Sequence, residues 1–467
     1  MAAGPATATA VDIAARVRSR EWSPVEVTES VLARIATWEP QLNAFVDVDA
    51  ERALQQARAA GDAVARGDVL GPLHGVPVTV KNIQAVAGLP TRRGSRLSAA
   101  TPERDDAPLV ARMRAAGAII VGTTTLPEQG WTAVGDSPLT GSTHNPWRHG
   151  LTSGGSSAGA GALAGAGCGP LHVGTDGAGS IRVPAAFCGA VGFKPTYGTV
   201  PFVPVPNNGS LSHAGPITRS VADAALMLSV MGGPDARDHT SLPTTPRSTI
   251  VPGGLRGLRI AYSPDLGHAR VDPDVAAAVE QSLAALTDAG ALVELVTPEW
   301  GPSGPAMERD LWAMAVLAYL PPDDATAEVM DPGLVACTRE YARFSTAQAI
   351  DAQRRRIAYA REVNSWFGDS GWDLLVTPST SVTAFEVGHQ QPSHWPQHPW
   401  DWLSWAEFSY PFNLSHGPAV SVPCGLTADG LPVGLQIAGP RLADDIVLRA
   451  AAGFLERQPF DRLPDLP

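Results

Sequence analysis

Short β-branched runs that alternate with helical stretches constrain this chain more than any other feature. Residues 118–121, Ala-Ile-Ile-Val, read as a buried strand, entered from a short helix over 106–116 with Gly117 just past its end. The same grammar returns as a strand at 258–262, a helix at 272–289 with Pro273 near its start, and a strand at 291–296. Such a succession predicts an α/β fold: a large mixed, mostly parallel central sheet with helices on both faces. Residues 1–70 read as helices. Ser23-Pro24-Val25-Glu26 is a capping box with proline at the first helical position, followed by a stripe of Val27, Val31, Leu32 and Ile35. Residues 52–66 are Ala-rich and helical, ending at Gly67.

The length, 467 residues, would by itself allow about three domains. No internal repeat or linker-like break divides the chain, apart from a soft Pro/Thr/Ser patch at 241–252. From Trp300 to Trp405 the alternation loosens into helical stretches, including 347–366, and a Pro/His/Trp-rich loop over 389–405. Strand character returns at 419–423 and 431–437. The expectation is one domain over 1–467: N-terminal helices (1–70), a core (71–240) and a variable segment (300–405).

The formal net charge of −12 argues against nucleic acid or an anionic membrane as partner, because both are bound through excess Lys and Arg. Four scattered cysteines make no disulfide framework. The N-terminus lacks a basic stretch followed by an apolar one, and residues 158–173 are too short and too Ala/Gly-rich to span a bilayer. A cytoplasmic enzyme is the expectation; oligomeric state is not legible.

Three segments carry chemistry. Gly75-Val76-Pro77-Val78-Thr79-Val80-Lys81-Asn82 ends an apolar strand on a lysine, which alone reads as a solvated strand end. Thr152-Ser153-Gly154-Gly155-Ser156-Ser157-Ala158-Gly159 reads as a flexible loop or, given the small-residue helix after it, as a tightly packed one. Gly174-Thr175-Asp176-Gly177-Ala178-Gly179-Ser180-Ile181-Arg182 leads from a strand into a helix. It lacks the Lys-Ser/Thr pair of a P-loop and the G-x-G-x-x-G spacing of a dinucleotide site. What remains is a serine at a tight turn beside a row of backbone N–H groups, which suits a nucleophile with its oxyanion hole.

Together these segments resemble the amidase signature family, whose motifs are G-V-P-V-x-x-K, G-G-S-S-G-G and G-x-D-x-G-G-S-I-R-x-P. Ser156 and Ser180 stand 24 positions apart, as in that family. The similarity runs from about Val11 to about Leu455, through Gly192-Phe193-Lys194-Pro195-Thr196, Pro411-Phe412-Asn413-Leu414 and Gly430-Leu431-Pro432-Val433-Gly434. Three positions depart: Ser153 stands where proline is common, and Ala158 and Ala178 stand where glycine is usual. A methyl at 178 disfavours positive φ and narrows the space near the acyl group.

The resemblance implies hydrolysis of a C–N acyl bond by Ser180, with Ser156 as proton shuttle and a buried, neutral Lys81 as base, and a cis peptide at Gly155–Ser156. It implies an oxyanion hole from the N–H groups of Gly177, Ala178, Gly179 and Ser180, and loop-fixing roles for Ser157, Thr175, Asp176 and Arg182. No H-E-x-x-H motif or Cys/His cluster suggests a metal, and no cofactor is expected. Pocket walls are expected from 300–405 and from 137–143. Trp395, Trp400, Trp402 and Trp405 either plug the core or line that pocket. The second possibility points to a small neutral aryl amide, with aryl carbamates (urethanes) or esters as extensions. Two alternatives stand beside this: the glutamine amidase component of a tRNA-dependent amidotransferase, and a non-catalytic binding protein on the same fold.

Overall fold

The computed structural model describes residues 4–206, 208–250 and 254–466; Pro252, at the end of the soft patch, lies outside them. In chain order the strands are β1 (Phe45–Val48), β2 (Pro77–Lys81), β3 (Ile119–Thr124), β4 (Asp136–Ser137), β5 (Gly141–Ser142), β6 (Leu171–Asp176) and β7 (Val191–Lys194). They continue with β8 (His213–Thr218), β9 (Arg259–Tyr262), β10 (Leu292–Leu295), β11 (Leu374–Pro378), β12 (Ala419–Leu426) and β13 (Pro432–Ala438). β4 and β5 pair only with each other. The other 11 form one sheet in the order β1-β3-β2-β6-β8-β7-β12-β13-β11-β9-β10.

The sheet is large and mixed, with helices around it, but it is not mostly parallel. Parallel pairing is confined to two blocks, β3-β2-β6 and β11-β9-β10. Between them every neighbour from β6 through β8, β7, β12 and β13 to β11 is antiparallel. One physical reason is local: only residues 427–431 join β12 to β13, and so short a connection can close only an antiparallel pair.

Helices fall close to where the sequence pattern puts them, at Ala50–Arg66, Pro108–Ala115, Pro273–Asp288 and Thr346–Ser370. Ser23 caps the helix Pro24–Leu42 by accepting the Glu26 N–H. None of the described helices is long and apolar enough to cross a membrane.

Alternation along the strands divides the interior. Leu374 and Val376 of β11 face one hydrophobic core, and Leu375 between them faces the other. The second core holds nearly all the buried tryptophans and lies behind the loops that carry the serines. The helix Ala158–Gly165, buried at every position, packs against the helix Arg182–Cys188. A Cβ on Gly161 would come within 2.6 Å of Pro184 Cβ, and one on Gly165 within 2.4 Å of the Cys188 carbonyl oxygen. That near contact draws the two serine-bearing loops together.

Candidate active site

The site forms where the strands of the first parallel block end. Lys81 closes β2, buried at all five positions, and Thr175 lies near the end of the neighbouring parallel strand β6. Loops leaving the carboxyl ends of adjacent parallel strands converge on a crevice, a position that commonly serves as a binding site. Lys81 is fully buried, with Nζ 2.7 Å from Ser156 Oγ, 3.0 Å from Ser157 Oγ and 2.9 Å from Thr175 Oγ1. No carboxylate touches it among the described residues. Burial pushes the Lys81 ammonium down to about 7, against an opposing pull from the more distant Asp176.

Ser157 donates its hydroxyl to the Thr175 carbonyl at 3.1 Å, so towards Lys81 it can only accept. The Gly155–Ser156 peptide is cis. The Ser157 N–H donates to the Ser180 carbonyl at 3.2 Å, tying the two serine loops together. Ser156 and Ser180 line one narrow cleft with Thr175 and Gly177. Lys194 is also buried, but its Nζ donates to the Pro195 and Gly417 carbonyls, away from the serines.

Asp176 and Arg182 shape the Ser180 turn. Burial raises the Asp176 carboxyl, but the Arg182 charge and hydrogen bonds, with Lys194 and Asn413, outweigh it and hold the group well below the usual carboxylate range. Arg182 donates from Nε to Asp176 Oδ2 and from Nη2 to Asp176 Oδ1, both at 2.9 Å. It also reaches the Ser409 carbonyl, Gln436 and Asn413. Asp176 in turn accepts the N–H of Gly179 at 2.7 Å and of Ile181 at 3.2 Å.

The Gly179 contact departs from the expected oxyanion hole. The Gly179 N–H is committed to Asp176 and is not free for a substrate oxygen. The N–H groups of Gly177, Ala178 and Ser180 have no acceptor among the described residues. Gly179 instead supplies conformation: its φ is +116°, and a Cβ there would lie 2.6 Å from Ser409 Oγ. Ala178 is not among the residues of positive φ, so its methyl meets no backbone conflict and packs into the second core. Its carbonyl accepts Ser409 Oγ at 2.6 Å.

The tryptophans of the 389–405 loop do not line the cleft. Trp400, Trp402 and Trp405 are fully buried, and Trp395 is 4% exposed with Arg270 stacked on its ring. Each of the other three spends its indole N–H on the protein: Trp400 on Glu340, Trp402 on the Trp131 carbonyl and Trp405 on the Gln390 carbonyl. Having lost its polar handle to a partner and its rings to packing, the group is core. Nor does 137–143 reach the cleft, since it forms the β4–β5 hairpin and the turn beside it.

The aromatic walls are Trp131, Trp312 and Phe202, joined by Ile83, Gln129 and Asn208. Trp312 comes from the 300–405 segment and donates to the Trp131 carbonyl at 2.8 Å, while Trp402 stands edge-on behind it at 5.2 Å. Trp131 had a legible signal: it follows β3, at the same carboxyl edge as Lys81. The loop around it lies against Ser156, since a Cβ on Gly130 would be 3.2 Å from Ser156 Oγ. For Trp312 helix periodicity carries no such mark. No charged side chain lines the cleft among the described residues, and no His/Cys/Asp/Glu group there could hold a metal ion.

Comparison with known proteins bears on the family and the fold. A family model described as amidase matches residues 26–448. An acylamidase from Rhodococcus erythropolis is 38% identical over 470 residues, covering 98% of this chain and 97% of the relative. A glutamyl-tRNA(Gln) amidotransferase component from Salinispora tropica is 36% identical, covering 96% of each chain. The crystal structure of a bacterial aryl acylamidase of the amidase signature family superposes with a TM-score of 0.89 at 30% identity, covering 97% of each chain. Matched almost end to end in sequence and in fold, this chain belongs to the amidase signature family of carbon–nitrogen hydrolases.

Proposed function

We propose that the enzyme hydrolyses small neutral acyl amides, aryl amides foremost, through an acyl-enzyme on Ser180. The observation that carries this reading is the contact of 2.7 Å between Lys81 Nζ and Ser156 Oγ, inside a cage of neutral hydroxyls beside Ser180. A neutral amine has two N–H groups and one lone pair. Ser157 can only accept from Lys81, so with Thr175 also accepting, the lone pair faces the Ser156 hydroxyl.

As Ser180 Oγ attacks the carbonyl carbon, its proton passes to Ser156 and the Ser156 proton to Lys81. The carbonyl oxygen gains charge and is met by the N–H groups of Gly177, Ala178 and Ser180. The C–N bond then breaks, and the leaving nitrogen takes a proton from Ser156, which Lys81 replaces. Water repeats the route to release the acid. Holding lysine at about 7 rather than 10.5 costs on the order of 5 kcal/mol of cation stability, which full burial can supply.

A cleft without formal charge, walled by Trp131, Trp312 and Phe202, favours a neutral substrate with a flat apolar group. Aryl carbamates present the same planar acyl group and are the natural extension. The amidotransferase relatives favour a second reading, glutamine as ammonia donor. Glutamine carries both an ammonium and a carboxylate, and the described lining offers neither a counter-charge. The test compares a para-nitroanilide, an N-aryl carbamate and glutamine at matched concentration, with fluorophosphonate labelling of Ser180 alongside. Faster glutamine turnover would favour the amidotransferase reading, and absence of both turnover and labelling a binding protein.

A further inference from the structure

Glu128 is 1% exposed and does not line the cleft, yet it opens the turn whose next three residues do. Its carboxylate oxygens serve two separate segments: Oε1 accepts the Ser95 hydroxyl at 2.5 Å, and Oε2 accepts the Asp331 N–H at 2.6 Å. Asp331 in turn caps the helix Pro332–Tyr341 by accepting the N–H groups of Gly333 and Leu334. Burial pushes the Glu128 carboxyl up, against the pull of its two hydrogen bonds. A carboxyl so costly to bury, and removed from the substrate, is explained by what it holds.

It holds a tight turn. Gln129 has φ +55°, in the left-handed region that a side chain disfavours. Its N–H donates to the Arg93 carbonyl at 2.7 Å, while the Gly130 and Trp131 N–H groups turn back on the Pro127 and Glu128 carbonyls. The turn sets the Gly130 backbone against Ser156, where a Cβ would lie 3.2 Å from Ser156 Oγ. The Ser95 side of the anchor leads back to Lys81. Asn82 directly follows that lysine, and its Oδ1 accepts the N–H of Arg92 at 2.7 Å and of Arg93 at 3.1 Å. Two turns, 92–95 and 127–131, clasped by Glu128, thus run from the residue after Lys81 to the backbone beside Ser156.

We propose that Glu128 is a positioning residue: by anchoring the 127–131 turn to Ser95 and to the head of the helix Pro332–Tyr341, it keeps the Gly130 backbone against Ser156 and so fixes that serine for proton transfer. The proposal rests on the role given to Ser156 above. Ser156 must hand a proton to a departing amine, whereas a nitrophenolate leaves without one. A displaced Ser156 therefore slows an amide more than an activated ester. Acetanilide and para-nitrophenyl acetate form the same acetyl-enzyme, so kcat/KM on the two compares acylation alone.

Glu128→Ala should lower kcat/KM for acetanilide about tenfold or more beyond its effect on para-nitrophenyl acetate, the scale on which a small misplacement of a reacting group acts. Glu128→Gln keeps both contacts, since its carbonyl can accept the Asp331 N–H and its amide can donate to Ser95 Oγ. Its amide-to-ester ratio should stay close to that of the unsubstituted enzyme. Ser95→Ala removes one anchor and no more, so it tests the same link should Glu128→Ala fold poorly; the ratio should move in the same direction by a smaller factor. Ser156→Ala should show the split in full. Equal losses on both substrates in Glu128→Ala and Ser95→Ala, or a Glu128→Gln variant as impaired as Glu128→Ala, overturn the positioning role and leave the relay standing. A Ser156→Ala variant that treats the two substrates alike removes the relay, and the positioning role falls with it.

Discussion

Lys81 and Arg182 are both fully buried near the Ser180 turn, and they are housed in opposite ways. Arg182 spends five N–H bonds on five contacts, two of them to the Asp176 carboxylate. Lys81 meets three hydroxyls and, among the described residues, no carboxylate. A buried cation facing a carboxylate stays charged and becomes a fixture. A buried cation among neutral oxygens is poorly compensated, gives up its proton near neutrality and becomes a base. Under the proposed mechanism, base chemistry and loop architecture are thus separated by the choice of one neighbour.

The sharpest test of that contrast lies at the end of the relay. Ser180→Ala should lower kcat by a factor on the order of 10⁴–10⁶ while the thermal transition barely moves, because the hydroxyl makes the covalent bond but little packing. Activity above a few per cent in a clean preparation would remove Ser180 from the mechanism.

Lys81→Met should cost about 10²–10⁴-fold in kcat/KM, most severely on amides with poor leaving groups. In the unsubstituted enzyme kcat/KM should rise with pH through about 7 and stay on an alkaline plateau. Chelators should leave it unchanged. Stability carries the same signature. Between about 7 and 10.5 the unfolded chain holds a proton on Lys81 that the folded chain lacks, so folding stability rises with pH across that window. Below it the burial penalty is present in full. Denaturant melts of Lys81→Met should lack that rise, and an identical slope in both proteins would break the contrast with Arg182.

Arg182→Met should act on the fold, destabilising by about 3–5 kcal/mol, because Asp176 would remain buried with its counter-charge gone. Urea titration measures this. A variant that stayed fully stable but lost activity would place Arg182 in the chemistry rather than the scaffold. The smallest expected effect separates two tryptophans that share the Trp131 carbonyl. Trp312→Phe and Trp402→Phe each give up a hydrogen bond worth about 1 kcal/mol of stability. Only Trp312→Phe should also raise KM for an aryl amide, since Trp402 stands behind the wall. Equal KM changes would erase the distinction between wall and core.

Much of this was legible in one dimension, because local grammar is dictated by neighbours in the chain. Strand ends, helix caps and the small-residue helix after Ser157 follow from backbone preference and side-chain period, and the ordered motifs identified the family and its candidate residues. The chain order of Lys81, Ser156 and Ser180 was therefore readable, as was their family. Contacts between segments were not. That β12 and β13 insert a hairpin beside β7, making the centre antiparallel, depends on pairing across more than 200 residues. That the Gly179 N–H turns to Asp176 depends on a side chain fixed by Arg182 and Asn413. Indole rings at 395–405 went into the core while Trp131 and Trp312 reached the cleft, because burial is decided by which faces meet. Periodicity can mark a ring as apolar, but only the packed fold decides whether it meets another side chain or a substrate.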